Sequence, residues 1–191
     1  MIKLRFFGPY LLCSEKVDVL GDCPYARRSG IYLWAVKLST GQYHISYIGE
    51  TGTSFYKRAK EHIIQKLGGN YRICDPDFML QGVQRVIWPG LWRKGTRNKM
   101  PEFLRRYEEL APLIKASLAI QVAFVAPFDG ERRLRQRIEG AIAMTIRANT
   151  VASSLLPDDI RYLERKENES PIRVFIESGN AIVGLPKQLT A

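Results

Sequence analysis

The chain is poor in cysteine, short of acidic residues and without a long apolar run, and each shortage removes a class of protein. Cys13, Cys23 and Cys74 are too few, too widely spaced and odd in number for a disulfide framework or a CxxC zinc site. Reduced thiols in a cytoplasmic protein are the expectation. No apolar stretch approaches the roughly 20 residues of a membrane span. The run Phe6–Leu12 behind Lys3 and Arg5 has the outline of an export signal. Pro9 interrupts it, however, Leu12 is not the small residue that cleavage needs, and acidic residues soon follow. Low-complexity segments and internal repeats are also missing.

What is present in excess is positive charge. Lys and Arg total 29 against 19 Asp and Glu, giving a net charge of +10. Such a balance favours a polyanionic partner through phosphate contacts and counterion release, with nucleic acid first among them. A basic but inert surface is the alternative. An acidic membrane is the weaker one, because no basic amphipathic helix carries a bulky aromatic face. The 191 residues suffice for one proper core, and 46% of them are apolar.

Residues 30–38 are apolar on both faces and rich in aromatic and branched side chains, as in a central strand. Ser39-Thr40-Gly41-Gln42 has turn chemistry, and Tyr43–Gly49 reads as the returning strand. With Thr40-Gly41 at the tip, Leu38 pairs with Tyr43, Tyr32 lies opposite Gly49, and Trp34 opposite Tyr47. Tyr32 and Tyr47 then become diagonal neighbours on one face. Tyrosine is common in strands, so neither residue alone carries weight; the glycine opposite Tyr32 leaves space beside its hydroxyl.

Thr53 or Ser54 caps a helix that runs to Leu67 and ends at Gly68-Gly69. Phe55, Ala59 and Ile63 form its core stripe, with Arg58 and His62 on the flank. Phe103–Ser117 reads as a helix kinked or split by Pro112, and Leu118–Ala126 as a short buried strand. A second strong helix spans Gly130–Asn149. Its oddity is Glu139, which falls on an almost wholly apolar part of the wheel, where a carboxylate needs a partner. Arg135, one turn earlier, and a bound cation are the two candidates. Ile172–Glu177 and Ala181–Leu185 close the chain as a hairpin.

Taken together, Gly30-Ile31-Tyr32, Tyr47-Ile48-Gly49, Arg58, His62, Glu139 and Asn149 resemble the pattern of the GIY-YIG nuclease family over residues 28–150. The resemblance implies an α+β fold with a small, mainly antiparallel three-stranded sheet flanked by helices. Here it would carry an inserted basic segment, an N-terminal extension over 1–27 packed on the core, and a C-terminal hairpin extension over 151–191. It further implies a metal-dependent phosphodiesterase that cuts DNA. Tyr32 would be the general base, Arg58 the transition-state stabiliser, and Glu139 the ligand of one Mg²⁺ or Mn²⁺. Tyr47 and His62 would orient water and phosphate, Gly30 and Gly49 would support the tyrosines, and Asn149 would support the site or cap its helix. Glu108 and Glu109 are rival carboxylates on a charged, solvated helix.

Those roles agree with elementary chemistry. A phenol with a pKa near 10 is a poor base at neutral pH, so its phenolate needs Arg58 and a metal beside it. One well-placed carboxylate points to one metal rather than two. Between Arg85 and Arg106, Trp88 and Trp92 are interleaved with Arg93, Lys94, Arg97 and Lys99, a composition suited to phosphate contact plus stacking. Arg135 and its neighbouring arginines form a second basic patch. The chain thus reads as a compact DNA endonuclease, with a homodimer the simplest way to cut both strands. A non-catalytic DNA-binding module of the same fold is the alternative.

Overall fold

The computed structural model describes residues 1–14, 16, 18–93 and 99–191. Strand β1 spans Ile2–Leu11, followed by β2 (Gly30–Lys37), β3 (Tyr43–Thr51) and helix α1 (Phe55–Leu67). A short ribbon of β4 (Ile73–Cys74) and β5 (Val86–Trp88) encloses α2 (Pro76–Met79). Then come α3 (Met100–Arg105), α4 (Tyr107–Ala119), β6 (Gln121–Pro127), α5 (Arg132–Arg147), β7 (Arg173–Ser178) and β8 (Gln188–Thr190).

The main sheet has six strands in the order β3-β2-β6-β1-β7-β8, not the three expected. Its β1–β7 pair is parallel while its other pairs are antiparallel, so the sheet is mixed, and it curls strongly into a half-barrel. The small antiparallel sheet implied by the family pattern is therefore incorrect for this chain. The error arises at the N-terminus. Ile2, Leu4 and Phe6 alternate with Lys3 and Arg5, and Leu4 and Phe6 are buried in the core. Ile2–Leu11 is thus a strand inside the sheet, and β1 carries β7 and β8 with it. Curling brings the chain end back to the far edge, where Ile182 bridges to Tyr43 at the start of β3.

Two apolar layers cover the sheet. On one face α5 supplies Ile138, Ile142 and Ile146 against Ile31, Leu33, Ile45 and Ile48. On the other, α1, α3 and α4 supply Phe55, Ile63, Phe103 and Ile114 against Tyr32, Trp34, Ala123 and Val125. Burial of each such side chain stabilises the fold by about 1.5–3 kcal/mol. Among the described residues no helix is long and apolar enough to cross a membrane, and Cys13, Cys23 and Cys74 are free thiols.

Local chemistry explains the element ends. Ser54 Oγ accepts the Lys57 N–H at 3.1 Å to start α1, and Gly69 at φ +69° ends it. The helix near Pro112 breaks earlier than the proline predicts, at Arg106, and Pro112 is accommodated inside α4. That helix runs on to Ala119, so β6 starts at Gln121 rather than Leu118. The last hairpin returns at Gln188–Thr190 rather than Ala181–Leu185.

Candidate active site

Strands β2 and β3 set the tyrosines. Tyr32 lies opposite Gly49 and Trp34 opposite Tyr47, as the sequence register anticipates, but by a different route. Leu38 N–H bonds Gln42 instead of pairing Leu38 with Tyr43. The turn is therefore a residue longer, and an extra residue, Ser46, bulges from β3 between the pairs Trp34–Tyr47 and Ala35–Ile45. The two shifts cancel at the site. The Tyr32 and Tyr47 rings stack with centroids 6.0 Å apart. A Cβ on Gly49 would overlap the Tyr32 ring at Cζ and Oη, so only glycine leaves that ring in place. Gly30, at φ +147°, brings β2 against the backbone of Ala126 and Phe128.

Helix α1 lays His62 and Arg58 over this pair. The Tyr32 hydroxyl and His62 Nε2 share a hydrogen bond of 2.9 Å in the interior. Burial, with help from Arg58 and Lys66, lowers the His62 pKa to about 3, so the imidazole is neutral at pH 7. Arg58 lies within electrostatic reach of both tyrosine hydroxyls and pairs with Glu61 at 3.2 Å, with its side chain 38% exposed. Burial raises Tyr32 well above the ordinary phenol value and Tyr47 adds to this, while Arg58 opposes the rise without cancelling it. The resting Tyr32 is consequently a protonated phenol.

Glu139 approaches from the opposite layer. Helix α5 packs beneath β3 and carries Glu139 to the Glu50 backbone N–H on that edge strand, within electrostatic reach of Tyr32, Tyr47 and Arg58. Desolvation, reinforced by the Glu50 carboxylate, raises its pKa to about 7. Arg135 does not neutralise it. That guanidinium is buried, pairs with Glu50 at 2.8 Å and also donates to the Gly130 carbonyl. Arg135 is thus an internal strut and is withdrawn from the DNA-facing set. Asn149 is likewise occupied, accepting the Val151 and Ala152 N–H groups at 3.1 Å. Eight residues of helix, about 12 Å of rise, separate Glu139 from the end of α5 at Arg147, and Asn149 lies two residues further on.

Tyr162 escaped the sequence reading, lying in a stretch notable only for charge. Its hydroxyl is buried beside the Ile48 backbone, Tyr47 and Glu139, with no well-formed hydrogen bond among the described residues. Glu50 was equally silent, being one polar residue in a turn-like run. Of the rival carboxylates, Glu109 is clamped by Arg106 at 2.7 Å.

The proposed DNA-facing residues divide sharply. Trp88 is 0% exposed and donates Nε1–H to the Gly69 carbonyl at 2.8 Å, so it belongs to the core and cannot stack on a base. Trp92 is 63% exposed. It flanks, with Arg93, a cleft that reaches Tyr47, Arg58 and His62. Lys99 is half-exposed near Glu102, 3.9 Å away. Lys94 and Arg97 lie outside the described residues.

No protein family, curated protein or solved structure matches this chain. The resemblance to GIY-YIG nucleases therefore rests on the sequence motifs alone.

Proposed function

We propose that the chain is a metal-dependent DNA endonuclease that hydrolyses phosphodiester bonds at the β3 edge. The observation that supports this most is that Tyr32, Tyr47 and Arg58, with His62 on the Tyr32 hydroxyl, lie within electrostatic reach of Glu139, which comes from the other side of the sheet. A purely structural carboxylate would be neutralised by its neighbour, whereas Arg135 pairs with Glu50 instead.

The donor set suits one hydrated divalent cation. Glu139 is desolvated and no ion pair holds it among the described residues, and the orphaned Tyr162 hydroxyl lies beside it. No group of three or more potential ligand side chains gathers among the described residues. Mg²⁺ or Mn²⁺ would rest on Glu139, with the remaining positions left to water and substrate phosphate, a familiar arrangement for Mg²⁺. When bound, such an ion supplies positive charge that acidifies nearby water and neutralises a phosphate oxygen.

The protein groups then have separate tasks. Arg58 neutralises a non-bridging phosphate oxygen. Tyr32 orients the attacking water and accepts its proton only as the phenolate, formed when positive charge beside it has brought its pKa down and its own proton has passed to solvent. His62 holds the Tyr32 hydroxyl in place, and Tyr47 packs against that ring. The basic rim at Arg93 and Lys99 receives the DNA backbone, and reduced thiols suit a cytoplasmic setting. Two copies would be the simplest arrangement for cutting both strands.

A non-catalytic DNA-binding module is the second reading, favoured by the strongly raised Tyr32 pKa. Incubation of wild type and Glu139→Ala with plasmid and branched DNA plus Mg²⁺ or Mn²⁺ separates the two. Cleavage that only the wild type performs supports the enzyme; binding by both without cleavage supports the module.

A further inference from the structure

The cleft beside the tyrosines has features that hydrolysis does not require. It measures about 370 Å³ and lies between α1, the Asn70–Cys74 segment, the Pro89–Arg93 turn and the Leu155–Ile160 segment. Aromatic rings continue along it from the active site. His62 and Tyr71 have centroids 5.5 Å apart, and Tyr71 meets Trp92 edge to face at 5.5 Å.

Its floor holds Lys66. The ammonium sits 6.0 Å from the Trp34 ring centre, without an ion pair among the described residues. Desolvation brings its pKa down to about 8. Arg72, another cation of the cleft, is already tied to Asp159 at 3.0 Å. A desolvated ammonium among aromatic rings calls for an acceptor oxygen, and nothing in the hydrolytic reading supplies one. At about 370 Å³ the cleft is too small for a duplex and within the size range of small-ligand sites. Stacking faces next to a cation are the chemistry that holds an unstacked nucleotide.

We infer that this cleft receives one unpaired nucleotide of a DNA strand, its base against Tyr71 and Trp92 and an acceptor oxygen on Lys66, adjoining the phosphate that Arg58 neutralises. The inference rests on the reading of the chain as a DNA-acting protein and narrows its substrates to DNA with an unpaired position beside the cut.

Metal-free equilibrium binding tests it. One probe is a forked oligonucleotide with 2-aminopurine at the first unpaired position; the other is the same sequence fully paired. The fork is expected to bind at least fivefold tighter, with 2-aminopurine emission quenched on binding. Lys66→Met and Trp92→Ala are each expected to bring the affinity ratio toward one, with folding checked by circular dichroism. Equal affinities, an unquenched fork, or a preference that survives both variants overturns the inference. Cleavage with Mg²⁺ is scored separately on the same two probes. Fork preference without cleavage sinks the nuclease and leaves the pocket standing; cleavage without preference does the reverse.

Discussion

The Tyr32 hydroxyl and His62 Nε2, 2.9 Å apart in the interior, join the inner strand β2 to helix α1 above it. The burial of His62 has a pH signature. The folded His62 pKa of about 3 lies below the ordinary 6.5, so the native state binds fewer protons than the unfolded one between those values. The contribution is fully present above pH 6.5 and is lost as pH falls toward 3. By pH 4.5 the loss is on the order of 2–3 kcal/mol. Replacing His62 by Phe should flatten the acid limb in urea titrations at pH 7 and 4.5. An unchanged limb would place the acid sensitivity elsewhere.

Glu139 should give the opposite slope. Its folded pKa of about 7 exceeds the ordinary 4.5, so the native state binds more protons in that window and stability declines as pH rises through it. Glu139→Gln should gain about 3 kcal/mol at pH 8 without divalent metal. It should also lose the rise in melting temperature that Mg²⁺ gives the wild type, and at least ~100-fold in cleavage, the order expected when several kcal/mol of charge stabilisation disappear. Calorimetry with and without Mg²⁺, alongside plasmid cleavage, checks all three.

Gly49→Ala should act through Tyr32, because the added methyl collides with its ring. A cost of about 1–3 kcal/mol is expected, together with reduced activity. Adding Tyr32→Leu should return part of the stability and none of the activity. If the double variant is no more stable than Gly49→Ala alone, the collision is not the cause.

Two arginines should behave in contrasting ways. Arg135→Met breaks the buried pair with Glu50 and should cost about 3–5 kcal/mol, leaving the salt dependence of DNA binding intact. Arg93→Ala should weaken binding and reduce the slope of log affinity against log salt by about 1. Denaturation curves paired with binding at several salt concentrations distinguish them.

The sequence revealed what local pattern determines. The all-apolar run at Gly30–Val36 marks an inner strand, and the Phe55, Ala59, Ile63 stripe a packed helix, because each pattern follows from how its own element is buried. The place of β1 was hidden, since its parallel pairing joins residues Ile2–Phe6 to Val174–Ser178 across most of the chain. Arg135 and Trp88 misled for a related reason. Composition marks them as suited to DNA, but only the fold shows one facing Glu50 and the other facing Gly69. Tyr162 reaches Glu139 by way of a loop whose path no periodicity records.

Ser46 gives β3 one residue of slack. Ile45 and Tyr47 are two apart in the chain yet pack on opposite layers, and each would keep its partner on β2 if Ser46 were deleted. Between Tyr47 and Gly49 there is no such reserve, and a one-residue deletion there would turn the strand's side chains to the wrong face. Length variation is thus tolerable on the turn side of the bulge and forbidden on the tyrosine side. That asymmetry confines insertions and deletions to the half of the hairpin that does no chemistry.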